Sequence, residues 1–344
     1  IRLIYLNQNL ERIEIPENAQ AITISKGYST LKTDSVIIKK DLLLTNIMEG
    51  NQLISTFIDG DIDSIKIEGM AKTLYHVFED SIFKGSNDMS GDMITINFLK
   101  NELKQIKVIG GSKGQYTPDT LSNEINTPVI YSANKIKYLF QNRKSDFYGN
   151  AIISHDKTIL EAGYVNIDWK TDILIANAQA KNDTMNEPLR PTIKEDRKDP
   201  MSGDRMTYNL KTKKGRIIKG NTKADDGYFT GKKIQNETNE IIYIKNSTYT
   251  TCDLENFHFH FESNNMKIIQ DDIVVARPIV LHISQIPIFA IPFAIFPHKG
   301  GQRHSGWIMP SYGDNKNRGQ YIQGLGFFWA PSEYWDSKLT MGFG

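Results

Sequence analysis

The sequence has little cysteine, little net charge and no long apolar run, and each shortage excludes a class of protein. One cysteine in 344 residues rules out an internal disulfide framework and a cysteine-rich zinc site. The 41 Lys and Arg nearly balance the 40 Asp and Glu, which argues against a nucleic-acid-binding protein, because those proteins gain affinity by neutralising phosphates. No stretch approaches the roughly 20 apolar residues that a membrane helix needs. The longest candidate, 286–297, is broken by prolines, which a helix does not tolerate.

Strand-forming residues are abundant. Isoleucine alone occurs 46 times, and threonine, tyrosine and phenylalanine are also frequent; such side chains fit pleated, half-buried strands. Short runs of these residues, separated by Gly, Asn, Asp and Lys turns, fill residues 22–276. The sequence therefore predicts an all-β protein, long enough for two or three domains. It begins at Ile1 without a methionine and stops at Gly344 inside an alternating run, so we expect a piece of a longer chain.

A hairpin unit recurs along the chain, with starts at Gly91, Ala133, Ala162 and Gly203. The first and last of these share Gly, Asp, Thr and Asn at matching offsets. The spacing of the starts is too uneven for a propeller or a regular solenoid. Stacked hairpins predict an elongated β-jelly roll, which is an open β-sandwich; the alternative is an ordinary sandwich whose hairpins merely share a β composition. Residues 185–200, rich in proline and charge, are predicted to form a connecting loop.

The C-terminal stretch alternates between apolar and polar residues. One predicted face carries Trp335, Leu339, Met341 and Phe343. In the preceding run, the corresponding face carries Tyr321, Gln323, Leu325, Phe327 and Trp329. Runs of about 10 residues with this period, and with aromatic residues near their ends, are typical of transmembrane barrel strands. A hairpin of a water-soluble sandwich has the same period, so the pattern alone leaves both interpretations open.

Motifs for catalysis are missing from the sequence. There is no Gly-x-Ser-x-Gly elbow, no His-Glu-x-x-His pair and no phosphate-binding loop. His258 and His260 flank Phe259 in a predicted strand shortly after Cys252, but zinc needs three or four ligands and no carboxylate stands at a recognisable spacing. We therefore expect a protein that is not an enzyme and has no metal and no cofactor.

A run of basic residues precedes the last third of the chain. The eight are Lys211, Lys213, Lys214, Arg216, Lys219, Lys223, Lys232 and Lys233. A basic rim beside an apolar groove would suit an anionic lipid, because Lys and Arg pair with phosphate. The alternative is a set of solvated turns and an edge strand guarded by lysines.

Three prolines, Pro287, Pro292 and Pro297, interrupt the apolar segment 286–297. Proline has no backbone N–H and cannot donate to a β-ladder, so a strand that contains it pairs weakly. In a closed barrel that weakness would mark a seam able to open sideways. A stiff connector between two domains would use the same prolines.

Three motifs in series carry a family resemblance. They are Tyr-Thr-Thr-Cys-Asp at 249–253, Pro-Ile-Phe-Ala-Ile-Pro-Phe-Ala-Ile-Phe-Pro at 287–297, and Arg-His-Ser-Gly-Trp-Ile-Met-Pro-Ser-Tyr-Gly at 303–313. In this order they resemble the LptD (OstA/Imp) family of outer-membrane lipopolysaccharide-assembly proteins. The unit at 203–231 also resembles the OstA-type repeat of the periplasmic bridge proteins of that transport system.

The resemblance implies a periplasmic OstA-like β-jelly roll over 1–276, followed over 277–344 by the first strands of an antiparallel outer-membrane β-barrel. It implies that the jelly roll receives lipopolysaccharide from a periplasmic bridge protein and passes it to a barrel with a lateral gate and a plug lipoprotein. Pro287, Pro292 and Pro297 match prolines near that gate. Cys252 stands where the family has a cysteine that bonds to one late in the barrel. The sequence here contains no second cysteine.

A greasy groove for acyl chains requires the apolar side of each strand to face inward, and buried methylenes at about 0.8 kcal/mol each would hold the lipid without a covalent step. The predicted groove residues are Met206, Tyr208, Ile217, Phe229, Ile242, Ile244, Phe259, Phe261 and Ile268. A slip of one residue would exchange the two faces of a strand, so the sequence leaves each strand's parity open. The alternative function is a soluble periplasmic lipid-bridge or carbohydrate-binding β-sandwich protein.

Overall fold

The computed structural model describes the chain except for residues 7, 34–35, 101, 120–126, 180–188, 197–198, 225–226, 238–240, 255–256, 270–271, 298–304, 309, 316–318, 333 and 344. The described residues form strands, turns and bends, and none of them is helical. No helix in this part of the chain is therefore long or apolar enough to cross a membrane. The prediction of an all-β fold is confirmed.

The chain divides into two compact units, Ile1–Asp196 and Arg197–Gly344. The division falls inside the segment 185–200. The described part of that segment includes a short strand, β13, so the prediction of a plain loop is wrong there. The predicted boundary at 276/277 lies within one continuous strand, β20, of the second unit. The assignment of 1–276 to a jelly roll and of 277–344 to a barrel stays a prediction.

The first unit contains thirteen strands. They are β1 (Arg2–Leu6), β2 (Asn9–Ile15), β3 (Ala19–Thr33), β4 (Val36–Gly50), β5 (Gln52–Ile58), β6 (Asp61–Glu79), β7 (Ile82–Leu99), β8 (Glu102–Pro118), β9 (Val129–Leu139), β10 (Lys144–His155), β11 (Thr158–Asp168), β12 (Ile173–Asn177) and β13 (Thr192–Glu195). From β5 to β12 each strand pairs antiparallel with the next. This is the arrangement expected of stacked hairpins.

The core of the first unit is built from rows of side chains that lie opposite one another on successive strands. One row runs through Leu53, Ile67, Ile94, Val108, Ile136, Phe147, Val165 and Ala176. Each of the eight is at most 4% exposed. Directly opposed apolar pairs are what stabilise a sheet, so a row that crosses eight strands ties the whole unit together.

A parallel row of small side chains marks where the strands of the first unit bend. Ala71, Ser112, Ala151 and Ala162 in this row are fully buried, and the strand register shifts beside them. On β8 the bend passes through Gly110 and Gly111 at φ values of 79° and 53°, a region that glycine enters at little cost. Three of the hairpin starts recognised in the sequence, Gly91, Ala133 and Ala162, belong to this row. The recurring sequence unit is therefore the bend of the sheet.

The second unit contains two sheets. The first holds β14 (Met201–Ser202), β15 (Arg205–Asn209), β16 (Gly215–Ala224), β17 (Gly227–Asn236), β18 (Ile241–Thr250), β19 (Phe259–Ile269), β20 (Ile273–Ile283), β21 (Ile286–Ile291) and β22 (Ala294–Pro297). From β15 to β21 each strand pairs antiparallel with the next, and β22 also pairs with β20. The second sheet holds β23 (Gly306–Ile308), β24 (Ser311–Asn315), β25 (Gly319–Trp329) and β26 (Ser337–Phe343). In it β25 pairs with the other three strands.

Candidate lipid path and strand seam

One face of the first sheet of the second unit, the inner face, carries a continuous apolar row. Met206, Ile217, Ile234, Ile244, Met266, Ala276 and Ala294 lie opposite one another on seven strands. Most of them form a single buried cluster, against which Ile242, Phe261, Ile268 and Trp307 pack. The neighbouring row on the same face runs through Ile242, Ile268, Val274 and Phe296. The inner face is thus apolar from β15 to β22.

The alternation of side chains reverses partway along these strands, at a second row of small residues. Gly220 lies opposite Gly231, Gly231 opposite Ser247, and Ser247 opposite Ser263. The reversal is made by residues such as Lys219 and Asn246, whose φ values are 48° and 50°. Gly231 is buried, and a Cβ placed on it would stand 2.5 Å from the Ile244 Cγ2 atom. Beyond the bend the inner face continues, because the parity has changed.

Aromatic side chains line the inner face beyond this bend. Phe229 lies opposite Tyr249, and Tyr249 opposite Phe261. The Phe229 and Tyr249 rings are 4.5 Å apart between centroids, and Phe261 meets Phe259 edge-on at 6.2 Å. Aromatic pairs of this geometry add stabilisation beyond the area they bury.

All nine predicted groove residues lie on the inner face. Their exposure divides them into two groups. Met206, Ile244 and Phe259 are buried among the protein's own side chains. The remaining six, Tyr208, Ile217, Phe229, Ile242, Phe261 and Ile268, are half-buried. Only this second group keeps surface that a lipid could contact, and its role in binding lipid stays a prediction.

Sequence reasoning missed Ile234 and Met266, two central residues of the buried cluster. A period of two that starts at Phe229 runs through Gly231 to Lys233 and would place Ile234 on the outside. The reversal at the Gly220–Gly231 pair puts Ile234 inside instead. The signal that could have located it is the small residue at the same level of each strand, where simple alternation fails.

The eight basic residues do not gather on the inner face. Lys211, Lys213 and Lys214 stand in an exposed turn. On the strands, Arg216 lies opposite Gln235, and Lys233 lies opposite Lys245, one residue out of phase with the inner row and so on the opposite face. Lys219 forms an exposed ion pair of 3.1 Å with Asp204. The run therefore divides between a turn and the outer face, and its affinity for anionic lipid stays a prediction.

The three prolines divide the strand that follows β20. Pro287 lies opposite His282, where the β20–β21 register shifts. Pro292 falls in the break between β21 and β22, and Pro297 ends β22 opposite Ile273. The printed pairings of β21 and β22 are all with β20. Because proline cannot donate, each one removes a possible hydrogen bond from this strand.

Apolar side chains are turned outward on the last strands. Leu339, Met341 and Phe343 of β26 are 52–68% exposed, and Leu339 and Met341 lie opposite Phe327 and Leu325. With Trp329 and Ser337, Phe327 and Leu339 line a concavity of about 290 Å³. Exposed apolar patches of this kind mark contact with a membrane or a partner.

One part of the predicted facing on β25 is wrong. Leu325 lies opposite Met341, but Ile322 lies opposite Phe343 because the register shifts between Gln323 and Leu325. The intervening Gly324 has a φ of 85°, so one extra residue bulges out. Ile322 therefore shares the face of Leu325, and Tyr321 and Gln323 take the opposite one. A glycine within an alternating run was the signal for this bulge.

Cys252 is buried, with 6% of its surface exposed. Its backbone N–H donates to the Thr250 hydroxyl at 3.0 Å, and its Sγ atom lies 3.8 Å from His258 Nδ1. A disulfide to another segment would require this turn to open. The predicted pairing with a distant cysteine stays a prediction.

Two histidines and a glutamate come together at the β19–β20 pair. His260 lies opposite His282, and their rings stack at 4.8 Å. Glu262 lies within 3.4 Å of His260 Nε2 and 4.0 Å of His282 Nε2. Burial, aided by His282, lowers the pKa of His260 below its usual value, and Glu262 only partly offsets this. The His260 imidazole is therefore held neutral.

These features define an all-β chain with a continuous apolar inner face and an outward-facing apolar terminal hairpin. Residues 274–343 match the model of the family described as LptD protein. The chain is 26% identical over 182 residues to the LPS-assembly protein LptD of Acinetobacter baylyi, covering 52% of this chain and 21% of that protein. It is 29% identical over 99 residues to the LPS-assembly protein LptD of Ectopseudomonas mendocina, covering 28% and 10%. The resemblance to the LptD family is confirmed.

The chain spans about a fifth or less of the length of these curated relatives. Among solved structures, it is similar to LptH of Pseudomonas aeruginosa, the LptA-homologous periplasmic component of the lipopolysaccharide transport device. That likeness has 14% sequence identity and a TM-score of 0.32, and it covers 52% of this chain and 98% of LptH. A similarity of this size carries no conclusion about function.

Proposed function

We propose that this chain is a non-enzymatic part of an outer-membrane lipopolysaccharide transporter. In this proposal the inner face receives lipopolysaccharide in the periplasm, and the terminal strands form part of a wall in the outer membrane. The observation that carries it is a change in where apolar side chains point. The rows of β15–β20 are buried, whereas β26, inside the segment that matches the LptD family, exposes its apolar residues.

The inner face supports the lipid path because it offers half-buried apolar and aromatic side chains in unbroken succession. Ile242 and Ile268 lie directly opposite each other, as do Tyr249 and Phe261. Each methylene of an acyl chain that leaves water against such a surface contributes about 0.8 kcal/mol. No covalent step is needed to retain the lipid.

The exposed face of β25 and β26 supports the membrane wall. Leu339 and Met341 on β26 alternate with exposed Lys338 and Thr340, which is the dyad period of a strand between lipid and a polar lumen. The partners in this proposal are lipopolysaccharide, a periplasmic bridge protein and a plug lipoprotein. The location is the outer membrane, with the preceding strands in the periplasm.

The proline-divided strand is proposed to be the lateral gate. Its pairing with β20 shifts register at Pro287 and is interrupted at Pro292. A strand pair with fewer donors separates more easily than a regular one, so lipid would leave the barrel at this edge. Replacing Pro292 by alanine in the full-length transporter should slow the delivery of lipopolysaccharide to the cell surface, if the break is needed for opening.

Photo-crosslinking in cells tests the lipid path. A benzoyl-phenylalanine at Phe229, on the inner face, is expected to form adducts with lipopolysaccharide. The same probe at Thr230, the next residue along β17 and on the outer face, is the matched control and should form none. Equal adducts at both positions, or none at any half-buried inner-face position, would contradict the proposal.

A further inference from the structure

The cluster of His260, Glu262 and His282 lies outside the proposed lipid path. His260 and His282 are one residue out of phase with the inner-face residues Phe259 and Leu281, and so point away from it. Nothing in lipid transport requires them. Their shared position depends on the antiparallel register of β19 and β20, which brings together residues that are far apart in the sequence.

The three side chains form a donor set that suits a transition-metal ion. One ligand atom from each lies within 4.8 Å of the other two. In a tetrahedral zinc site with metal–nitrogen bonds of about 2.0–2.1 Å, ligand atoms stand roughly 3.4 Å apart. The His260–Glu262 contact already has that length at 3.4 Å, and the His282–Glu262 contact is 4.0 Å. Small side-chain rotations would close the set around an ion.

The blander interpretation is that these are core histidines held by ordinary hydrogen bonds. That interpretation fails on one observation: the Nδ1 atoms of both rings are buried without a hydrogen-bond partner in the described part of the chain. A buried polar atom without a partner costs roughly 1–3 kcal/mol, and a bound ion or ordered water is a usual explanation for one. The side chain of His260 is only 5% exposed, whereas that of Glu262 is 53% exposed, so an ion could enter from the side of the carboxylate.

We propose that His260, Glu262 and His282 bind a divalent transition-metal ion, with Zn²⁺ the best fit. Two imidazoles and a carboxylate leave coordination positions open for water, and they favour zinc, iron, cobalt or nickel over magnesium or calcium. The neutral state of the His260 imidazole favours the same outcome, since a metal ligand must be unprotonated.

The site would act as a clamp between β19 and β20. His282 stands where the β20–β21 register shifts, opposite Pro287. β20 therefore has a weak partner on one side at this level. An ion shared by His282 and the two β19 side chains would fix β20 on its other side, so that disruption at the prolines does not spread into β19.

Metal titration of the untagged full chain tests the site. Cobalt(II) is expected to bind in one equivalent, with visible absorption bands that zinc chloride abolishes by displacement. Glu262→Gln, at an exposed side chain, should weaken binding by more than about tenfold, and His282→Gln should abolish it. Circular dichroism confirms that these variants are folded, and Glu262→Gln is the variant least able to disturb the core.

The controls distinguish this site from its neighbour. His258→Gln and Cys252→Ser remove the other close pair of donor atoms, and both are expected to bind cobalt as the parent chain does. Failure of the parent chain to bind, or binding that survives His282→Gln but is lost in Cys252→Ser, would overturn the proposal. Either failure leaves the lipid-transport proposal untouched, because the two rest on opposite faces of the sheet.

Discussion

Replacing Ile234 by alanine tests whether the inner row holds the second unit together. The side chain is 6% exposed and stands between Ile217 and Ile244. Three carbon atoms are removed, at about 0.8 kcal/mol each, and a cavity term is added because a packed row relaxes only in part. The loss should therefore be about 3–4 kcal/mol, within the usual range for such substitutions.

The assay is hydrogen exchange of the backbone amides of β16–β18, which reports local opening. A loss of about 3 kcal/mol corresponds to a roughly hundredfold fall in protection. Ile218→Ala is the matched control: Ile218 neighbours the inner-row residue Ile217, is half-buried, and lies opposite Arg205 and Lys233 on the outer face. We expect it to have a much smaller effect. Equal effects of the two variants, or a larger one for Ile218→Ala, would refute the assignment of faces.

Three further predictions follow from single contacts. Gly231→Val should lower the thermal midpoint of the second unit, because its Cβ would stand 2.5 Å from Ile244 and overpacking costs about 1–3 kcal/mol; Thr230→Val is the outward control, and an unchanged midpoint for Gly231→Val would count against the bend. Cys252, 6% exposed, should react with a thiol reagent far more slowly in the folded chain than in urea, and equally fast modification would show that it is accessible. Burial raises the pKa of Tyr131 above its usual value of 10.0, so the folded state keeps a proton that the unfolded state loses; stability should fall as pH rises above 10, and Tyr131→Phe should reduce that slope.

The fold class was predictable from composition and period because isoleucine-rich alternation leaves few alternatives to strands. The hairpin starts Gly91, Ala133 and Ala162 were visible as a recurring unit, but their role as a line of bends was not. A bend depends on small residues that become neighbours only when strands pair. Local sequence shows the glycine or alanine without showing its partner.

The site was predictable where the period of two holds and unpredictable where it breaks. Phe229 and Ile244 followed from alternation within their own strands, whereas Ile234 was lost because the reversal at Gly231 changes which side chains face inward. On β25, the bulge at Gly324 reversed the facing of Tyr321 and Gln323 in the same way. One residue of slip exchanges the faces of everything beyond it.

The histidine cluster was unpredictable for a different reason. Sequence analysis looked for ligands near His258 and His260 and found no carboxylate at a familiar spacing. Glu262 was close by, but His282 joins it only through the β19–β20 register. Cross-strand pairing, which no local spacing encodes, assembles the set.

Three adjacent isoleucine pairs allow the most direct test of the lipid path. In each pair one member lies on the inner face and its neighbour on the outer: Ile217 and Ile218, Ile242 and Ile241, Ile268 and Ile269. With a photo-crosslinker at each position in living cells, lipopolysaccharide adducts should form at 217, 242 and 268 and be missing at 218, 241 and 269. Adducts that ignore this alternation, or that favour the outer members, would contradict transport along the inner face.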